Sequence, residues 1–118
     1  MIAGVGGFLG TCARFLINRL FVMIWRAPFP LATFTINVVG CFIIGILVGI
    51  MGKYAEADPK INAFLVTGFC GGFTTFSTFS LESFRLSSEG EILISLLYMA
   101  ASVVAGFIAV WLGLAVTR

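Results

Sequence analysis

The chain has 118 residues, of which 60% are hydrophobic and only 10% are charged, and it contains no histidine. A soluble domain carries about 25% charged residues, so the composition excludes a soluble fold and predicts an integral membrane protein in contact with lipid. The formal net charge is +2 and the cations are scattered along the chain, which does not favour nucleic acid as a partner. Because a transmembrane helix needs about 20 apolar residues, four spans account for residues 1–118 as a single transmembrane domain.

The first span is predicted from about Ile2 to Trp25 and carries polar side chains on one face. Intervals of three and four residues place four small or polar residues on that face: Gly7, Thr11, Arg14 and Asn18. An arginine facing lipid at the centre of a span costs at least about 2.5 kcal/mol. Two positions are open to Arg14. Its side chain reaches the membrane interface, an interpretation that suits Arg19 better, or it forms an electropositive patch at the mouth of an aqueous vestibule.

The second span, from about Leu31 to Gly52, follows a short turn at Arg26–Pro30 whose two prolines are barred from helix interiors. Thr33 and Asn37 lie four residues apart and therefore share a helix face. A membrane asparagine is often only a hydrogen-bond donor between helices. As part of a threonine and asparagine stripe, Asn37 equally suits the lining of a polar pathway.

The third span, from about Ile61 to Phe84, follows a polar loop at Lys53–Lys60. It contains a stretch whose glycines and hydroxyl residues are unusual for a transmembrane helix. From Gly68 to Glu82 the sequence reads GFCGGFTTFSTFSLE. Helix-weakening residues inside a membrane require a reason, because lipid cannot satisfy exposed backbone groups. Glycine offers unusual dihedral angles, and hydroxyls replace lost hydrogen-bond partners. We therefore predict a broken third helix, with the break between Gly71 and Thr75.

The fourth span is predicted from about Ile92 to Val116, after a loop at Arg85–Glu91, with Ser95, Tyr98 and Ser102 on one face. Every span also carries small residues four apart, which permit close helix packing. These pairs are Gly6 and Gly10, Gly45 and Gly49, Gly68 and Gly72, and Ala105 and Ala109. Four short helices do not easily enclose a conduit and cover their own polar stripes, so we expect an oligomer.

The loop charges are nearly balanced across the membrane. Four spans place both chain ends on one side, with Lys53, Lys60 and Arg118; the other side carries Arg26 and Arg85, with Arg19 if it reaches the interface. An excess of cationic residues in the loops on one side sets the orientation of a membrane protein. The balanced charges here therefore fix no single orientation of the chain. A chain that inserts both ways can pair with an antiparallel copy of itself.

The sequence disfavours an enzyme and suits an anion. The serines lack a histidine base, and the glycines form neither a Walker loop nor a dinucleotide fingerprint. Amide and hydroxyl donors and positive phenyl ring edges are suitable for binding an anion. Three hypotheses are open: an anion channel, a proton-coupled small multidrug-type exporter, or a non-transporting assembly subunit. The sign of the Arg14 charge disfavours binding of cationic drugs.

Three motifs stand out: Gly71-Gly72-Phe73-Thr74-Thr75-Phe76-Ser77-Thr78-Phe79-Ser80-x-Glu82, Gly10-x-x-x-Arg14 and Asn37-x-x-Gly40. In these motifs the chain resembles the Fluc (CrcB) fluoride channels. The resemblance implies an antiparallel dual-topology homodimer in the bacterial inner (plasma) membrane, with two fluoride pores. It also implies a buried structural sodium ion, Na+, on the dimer axis, bound by the backbone carbonyls of Gly71 and Thr74.

The resemblance also implies roles for individual residues of the anion pathway. Phe76 and Phe79 would contact fluoride, Asn37 would line the pore, and Ser77 and Thr78 would form a polar track. Residues from the other spans complete the candidate pathway: Arg14, Thr33, Tyr98 and Ser102.

Overall fold

The computed structural model describes residues 1–53 and 59–117, which are helical with short connections and contain no strand. The first two spans are α1 (Ile2–Ile24) and α2 (Leu31–Lys53). The third span runs through α3 (Pro59–Asn62), a π-helical segment (Ala63–Cys70), α4 (Gly71–Phe73) and α5 (Phe76–Ser88), and the fourth is α6 (Ile92–Val116). All four spans are long and apolar enough to cross a membrane, so the prediction of four spans with a broken third helix is confirmed.

The third span is longer than predicted at both ends. Its first described helical residue is Pro59. Proline is compatible with the first helical position, because its missing N–H is not needed there. It extends to Ser88, so the predicted loop at Arg85–Glu91 is wrong over its first four residues. The helix is followed by a tight turn in which Gly90 has φ +85°. Residues 54–58 of the predicted polar loop lie outside the described residues.

The break in the third span consists of Thr74 and Thr75, within the predicted range. Both are extended, with φ/ψ of −83°/160° and −150°/122°. The prediction that glycines supply unusual dihedral angles at the break is wrong, because the positive-φ residue among those described is Gly90. The eight residues before α4 are π-helical, a conformation that changes helix register and is frequent near functional sites.

Two glycines of the third span, Gly68 and Gly72, serve close packing against α1. A Cβ atom at Gly68 would lie 2.6 Å from the Ala3 carbonyl oxygen, and one at Gly72 would lie 2.5 Å from the Gly7 carbonyl oxygen. Real Cβ atoms do not approach backbone so closely, so side chains are excluded at both positions. The same constraint operates between α2 and α6, where a Cβ atom at Gly113 would lie 2.8 Å from the Ile46 nitrogen. The predicted role of Gly68 and Gly72 in helix packing is confirmed.

Two substitutions on α1 test this packing. Gly6→Ala should lower the free energy of unfolding by about 1–3 kcal/mol, because its new methyl group would collide with the Phe64 carbonyl. Gly4→Ala on the same helix meets nothing within 4 Å, and should be neutral or stabilising by up to about 1 kcal/mol. Unfolding of both variants in mixed micelles provides the measurement. Equal effects of the two substitutions would contradict the packing described above.

Candidate functional site

Asn37 on α2 satisfies the backbone at the break with both ends of its amide. Its Nδ2 donates to the Thr75 carbonyl at 3.0 Å, and the Thr75 amide donates to Asn37 Oδ1 at 2.8 Å. In a continuous helix the Thr75 amide would donate to the Gly71 carbonyl instead. Asn37 thus replaces one rung of the broken helix and leaves the Gly71 carbonyl without that partner.

Arg14 on α1 holds the other side of the break. Its Nε donates to the Gly72 carbonyl at 3.1 Å, and the Thr11 hydroxyl is directed at the same oxygen at 3.5 Å. The guanidinium faces protein, as expected from the cost of exposing it to lipid. The close approach of the glycine-lined helices brings Arg14 within reach of this backbone oxygen.

Hydroxyl groups cluster where the helix resumes at α5. Thr75 caps the helix, because its Oγ1 accepts from the Thr78 amide at 3.2 Å. The same Oγ1 lies 3.1 Å from the Thr78 hydroxyl and 3.5 Å from the Ser77 hydroxyl. The Thr78 amide, which would otherwise serve the Thr74 carbonyl, is thus redirected to a side chain. The Thr74 hydroxyl donates to the Cys70 carbonyl at 2.8 Å.

Aromatic rings form a continuous series from the break towards α6. The Phe76 and Phe79 centroids lie 6.0 Å apart, as expected for two residues on one face of a helix, and Phe79 lies 5.1 Å from Tyr98. Tyr98 is fully buried and also meets Phe29 edge-on at 5.3 Å. Phe76 is 78% exposed at the other end of the series. The rings therefore lead from the surface of the chain into its interior.

Three concave spaces follow the same course. The first, here called the groove, has a volume of about 440 Å³ and is bordered by the break, α2 and α6. The second, the polar cavity, has a volume of about 190 Å³ and lies between α1, α2 and α5. The third, the interfacial cup, has a volume of about 280 Å³ and is formed by residues 25–32 and the end of α5. Thr75 lines both the groove and the polar cavity, and Glu82 lines both the polar cavity and the cup.

All the candidate pathway and sodium-site residues except Tyr98 and Ser77 line the groove or the polar cavity. The groove is lined by Asn37, Gly71, Thr74, Phe76, Phe79 and Ser102. The polar cavity is lined by Arg14, Thr33 and Thr78. Tyr98 is buried beside Phe79, and Ser77 is exposed at the start of α5. Within the described part of the chain, the Ser102 hydroxyl is buried and has no hydrogen-bond partner.

The two residues that these spaces share, Thr75 and Glu82, were not among the candidate pathway residues. Thr75 was placed in the break but not in the pathway, although a threonine before a resumed helix is a recognisable N-cap. Glu82 was noted only as the last residue of the third-span motif. The structure places its carboxylate in the cavity wall, where Glu82 Oε1 accepts from the Tyr98 hydroxyl at 3.1 Å. Its signal in the sequence is that it is the carboxylate closest to the membrane interior.

Comparison with known proteins assigns the chain to a family. The model of the family described as CrcB-like protein, Camphor Resistance (CrcB), matches residues 1–114. The chain belongs to the CrcB-like family. Among its relatives in that family, a protein of Azobacteroides pseudotrichonymphae genomovar. CFP2 named "Fluoride-specific ion channel FluC" is 46% identical over 117 residues, covering 99% of this chain and 94% of the relative. Proteins of the same name from Chlorobium chlorochromatii (strain CaD3) and Flavobacterium psychrophilum (strain ATCC 49511 / DSM 21280 / CIP 103535 / JIP02/86) are 44% and 40% identical. Those alignments cover 100% and 97% of this chain and 91% and 92% of the relatives.

The bond between Asn37 and Thr75 predicts a large effect on stability. Asn37→Ala leaves the Thr75 amide and carbonyl without their partners, which should lower the free energy of unfolding by about 1–3 kcal/mol. Asn18→Ala is the matched control, because this amide lines the polar cavity but forms no hydrogen bond within residues 1–53 and 59–117. The control should change stability by less than about 0.5 kcal/mol. Unfolding in mixed micelles compares the two, and an Asn37→Ala protein as stable as its control would contradict this role.

Proposed function

We propose that this CrcB-like protein is a passive, fluoride-selective channel rather than an enzyme or a coupled carrier. The observation that carries the proposal is that the groove and the polar cavity share Thr75 in their walls, with neutral hydrogen-bond donors and aromatic rings beside it. The name of the relatives, "Fluoride-specific ion channel FluC", supports fluoride as the anion. Membership of the same family over nearly the whole chain supports the same activity here.

The lining suits an ion that holds its water tightly. A pore must replace the hydration of such an ion without binding it so strongly that it cannot leave. Phe76 and Phe79 offer positive ring edges, and the hydroxyls of Thr78 and Ser102 offer neutral donors. A full positive charge at the narrowest point would trap an anion. Arg14 lies to one side, where its Nε is engaged by the Gly72 carbonyl, and attracts anions into the polar cavity.

The proton-coupled exporter is less well supported. Such a carrier needs a carboxylate that binds a proton and a cationic substrate in turn. Glu82 shares its cavity with Arg14, and this cation repels a cationic substrate. The non-transporting subunit is disfavoured by the polar side chains in the cavity walls, because side chains used only for assembly do not need to border adjoining cavities.

The proposal includes an antiparallel dual-topology homodimer in the bacterial inner membrane. Phe76 is 78% exposed on a single chain, and Gly71 is also exposed. A second copy would cover the open side of the groove and enclose the rings that a lone chain presents to lipid. The balanced loop charges described above support insertion in both orientations.

A structural sodium ion on the axis of this dimer is part of the proposal. The carbonyls of Gly71 and Thr74 are suitable ligands, because the amides that would serve them in a helix donate to Asn37 and Thr75 side chains instead. Backbone carbonyls suit a hard monovalent cation, and when bound it would offset their partial negative charge. The Thr74 hydroxyl is already engaged with Cys70, so the carbonyl is the available oxygen. Two carbonyls from each of two chains would give four ligands.

Fluoride flux through Phe79→Ile tests the pathway. Isoleucine fills space but has no positive ring edge, so flux should fall at least about tenfold, the effect of losing about 1.4 kcal/mol of stabilisation. Asn37→Asp should also impair flux, because it places an anion in the path. Phe8→Ile, at a residue 67% exposed on α1, should conduct like the wild type. Fluoride efflux from liposomes, with chloride for comparison and with or without a pH gradient, provides the measurement. Assembled Phe79→Ile and Asn37→Asp proteins that both conduct at the wild-type rate would place the pathway elsewhere.

Dual topology is tested by labelling a single cysteine from each side of the membrane. Glu91→Cys is suitable, because the residue is exposed and its side chain does not cap α6. In a chain whose native Cys12, Cys41 and Cys70 are replaced, an impermeant thiol reagent should label about half of the molecules from each side. Labelling from one side only would eliminate the antiparallel dimer and, with it, the sodium site that needs both chains.

A further inference from the structure

We infer that the interfacial cup binds the head group of a zwitterionic phospholipid, with the lipid phosphate at Arg85 and the lipid ammonium group at Glu89. The inference is independent of the proposed channel function. It assigns a class of ligand to the cup, which the proposed function leaves without one.

Two charged side chains of the cup have no partner within the described part of the chain. Arg85 and Glu89 both line the cup, and the Glu89 amide donates to the Arg85 carbonyl at 2.9 Å, so the two residues lie one turn apart on the same helix face. Across residues 1–53 and 59–117, neither side chain forms a hydrogen bond or an ion pair. A cation four residues before a glutamate is the less favourable order for a helical ion pair. Both charges therefore remain available to a ligand.

The third charged group of the cup is already engaged, because Glu82 Oε1 accepts from the Tyr98 hydroxyl at 3.1 Å. The available charges are thus one guanidinium and one carboxylate. A guanidinium donates to phosphate oxygens, and a carboxylate accepts from an ammonium group, each through charge-assisted hydrogen bonds. A ligand that carries a phosphate and an ammonium group joined by a short linker satisfies both Arg85 and Glu89.

The rest of the wall is apolar and aromatic, which suits the lipid part of such a ligand. The Trp25 ring is fixed beside the turn, because its Nε1 donates to the Phe29 carbonyl at 2.8 Å. Tryptophan is enriched at membrane–water interfaces. Val22, which is 66% exposed, continues the wall of the cup onto the exposed face of α1. Acyl chains attached to a head group in the cup would extend along this face, in contact with the other lipids.

The size and charge of the cup narrow the choice of lipid. Its volume of about 280 Å³ fits a head group rather than a whole lipid. Phosphatidylglycerol has a phosphate but no ammonium group, so it would satisfy Arg85 and place a negative charge near the unpaired Glu89. Phosphatidylethanolamine carries both charges. We therefore expect the cup to select phosphatidylethanolamine over phosphatidylglycerol.

The emission of Trp25 measures binding, because this ring lines the cup. The chain has two tryptophans, so Trp111→Phe leaves Trp25 as the probe. Titration of this protein in detergent with short-chain phosphatidylethanolamine should change the emission until it saturates. Short-chain phosphatidylglycerol should bind about tenfold more weakly, as expected for the loss of one charge-assisted interaction. Free phosphoethanolamine should also bind at least about tenfold more weakly, because it has no apolar part to bury.

Two substitutions in the Trp111→Phe protein distinguish a zwitterion site from a simple phosphate site. Arg85→Gln should weaken phosphatidylethanolamine binding about tenfold. Glu89→Gln should weaken binding of phosphatidylethanolamine but strengthen binding of phosphatidylglycerol, whereas a site that only attracts phosphate would bind both lipids more tightly. Both residues are exposed, so the variants should assemble, which size-exclusion chromatography verifies.

Arg26→Gln and Glu91→Gln are the matched controls, because these exposed charges lie at the same end of the spans but do not line the cup. Both should leave the two lipid affinities unchanged. The inference would be overturned by tighter phosphatidylethanolamine binding in Glu89→Gln, by equal affinity of the parent protein for the two lipids, or by equal losses in the controls. An unchanged Trp25 emission would also reject the site. Free phosphoethanolamine that binds as tightly as the lipid would show that the ligand is a soluble zwitterion instead, and would overturn the assignment to a phospholipid.

Discussion

Backbone groups inside a membrane must be satisfied by protein, because lipid offers no hydrogen bonds. The rest of this structure depends on how that constraint is met at Thr74 and Thr75, where the third span is extended. Side chains from two other spans replace the missing helical partners: Asn37 serves the Thr75 amide and carbonyl, and Arg14 serves the Gly72 carbonyl. The break is therefore a tertiary feature that α1 and α2 hold open, rather than a local weakness of one helix.

The glycine contacts make this arrangement possible. Asn37 reaches the backbone of the break only because α2 is close to it, and Gly40, one turn further along α2, lies against Thr74 and Phe73. Arg14 reaches the Gly72 carbonyl because the pairs at Gly6 and Gly10 and at Gly68 and Gly72 let α1 approach the third span. The position of the Arg14 charge also follows from this packing. Arg14 is half-buried and its Nε is bound to a carbonyl oxygen, so its charge attracts anions into the polar cavity while the groove is lined by neutral groups.

The course of the proposed path follows from the way the helix restarts. The Thr75 cap gathers hydroxyls at the first turn of α5, and the turns that follow place Phe79 against Tyr98 and Glu82 beside the Tyr98 hydroxyl. The groove, the polar cavity and the interfacial cup therefore meet at Thr75 and at Glu82. One residue is a neutral cap and the other is a carboxylate, so the two junctions present very different chemistry to a passing anion.

The sequence alone determined the membrane class, the four spans, the break near Gly71 to Thr75 and the family, because hydropathy and a contiguous motif are local properties. It also located the small residues at helix contacts, since their spacing of four is a helical period.

Only the tertiary structure decided what those residues do. The glycines of the third span were expected to supply special dihedral angles, but they are helical, and Gly68 and Gly72 are required by their neighbours on α1. Asn37 and Arg14 were recognised as polar residues on apolar helices, yet their partners lie 38 and 58 residues away in the chain. No periodicity within one span encodes a hydrogen bond between spans. Glu82 shows the same limit, because its bond to Tyr98 is created by the packing of α5 against α6.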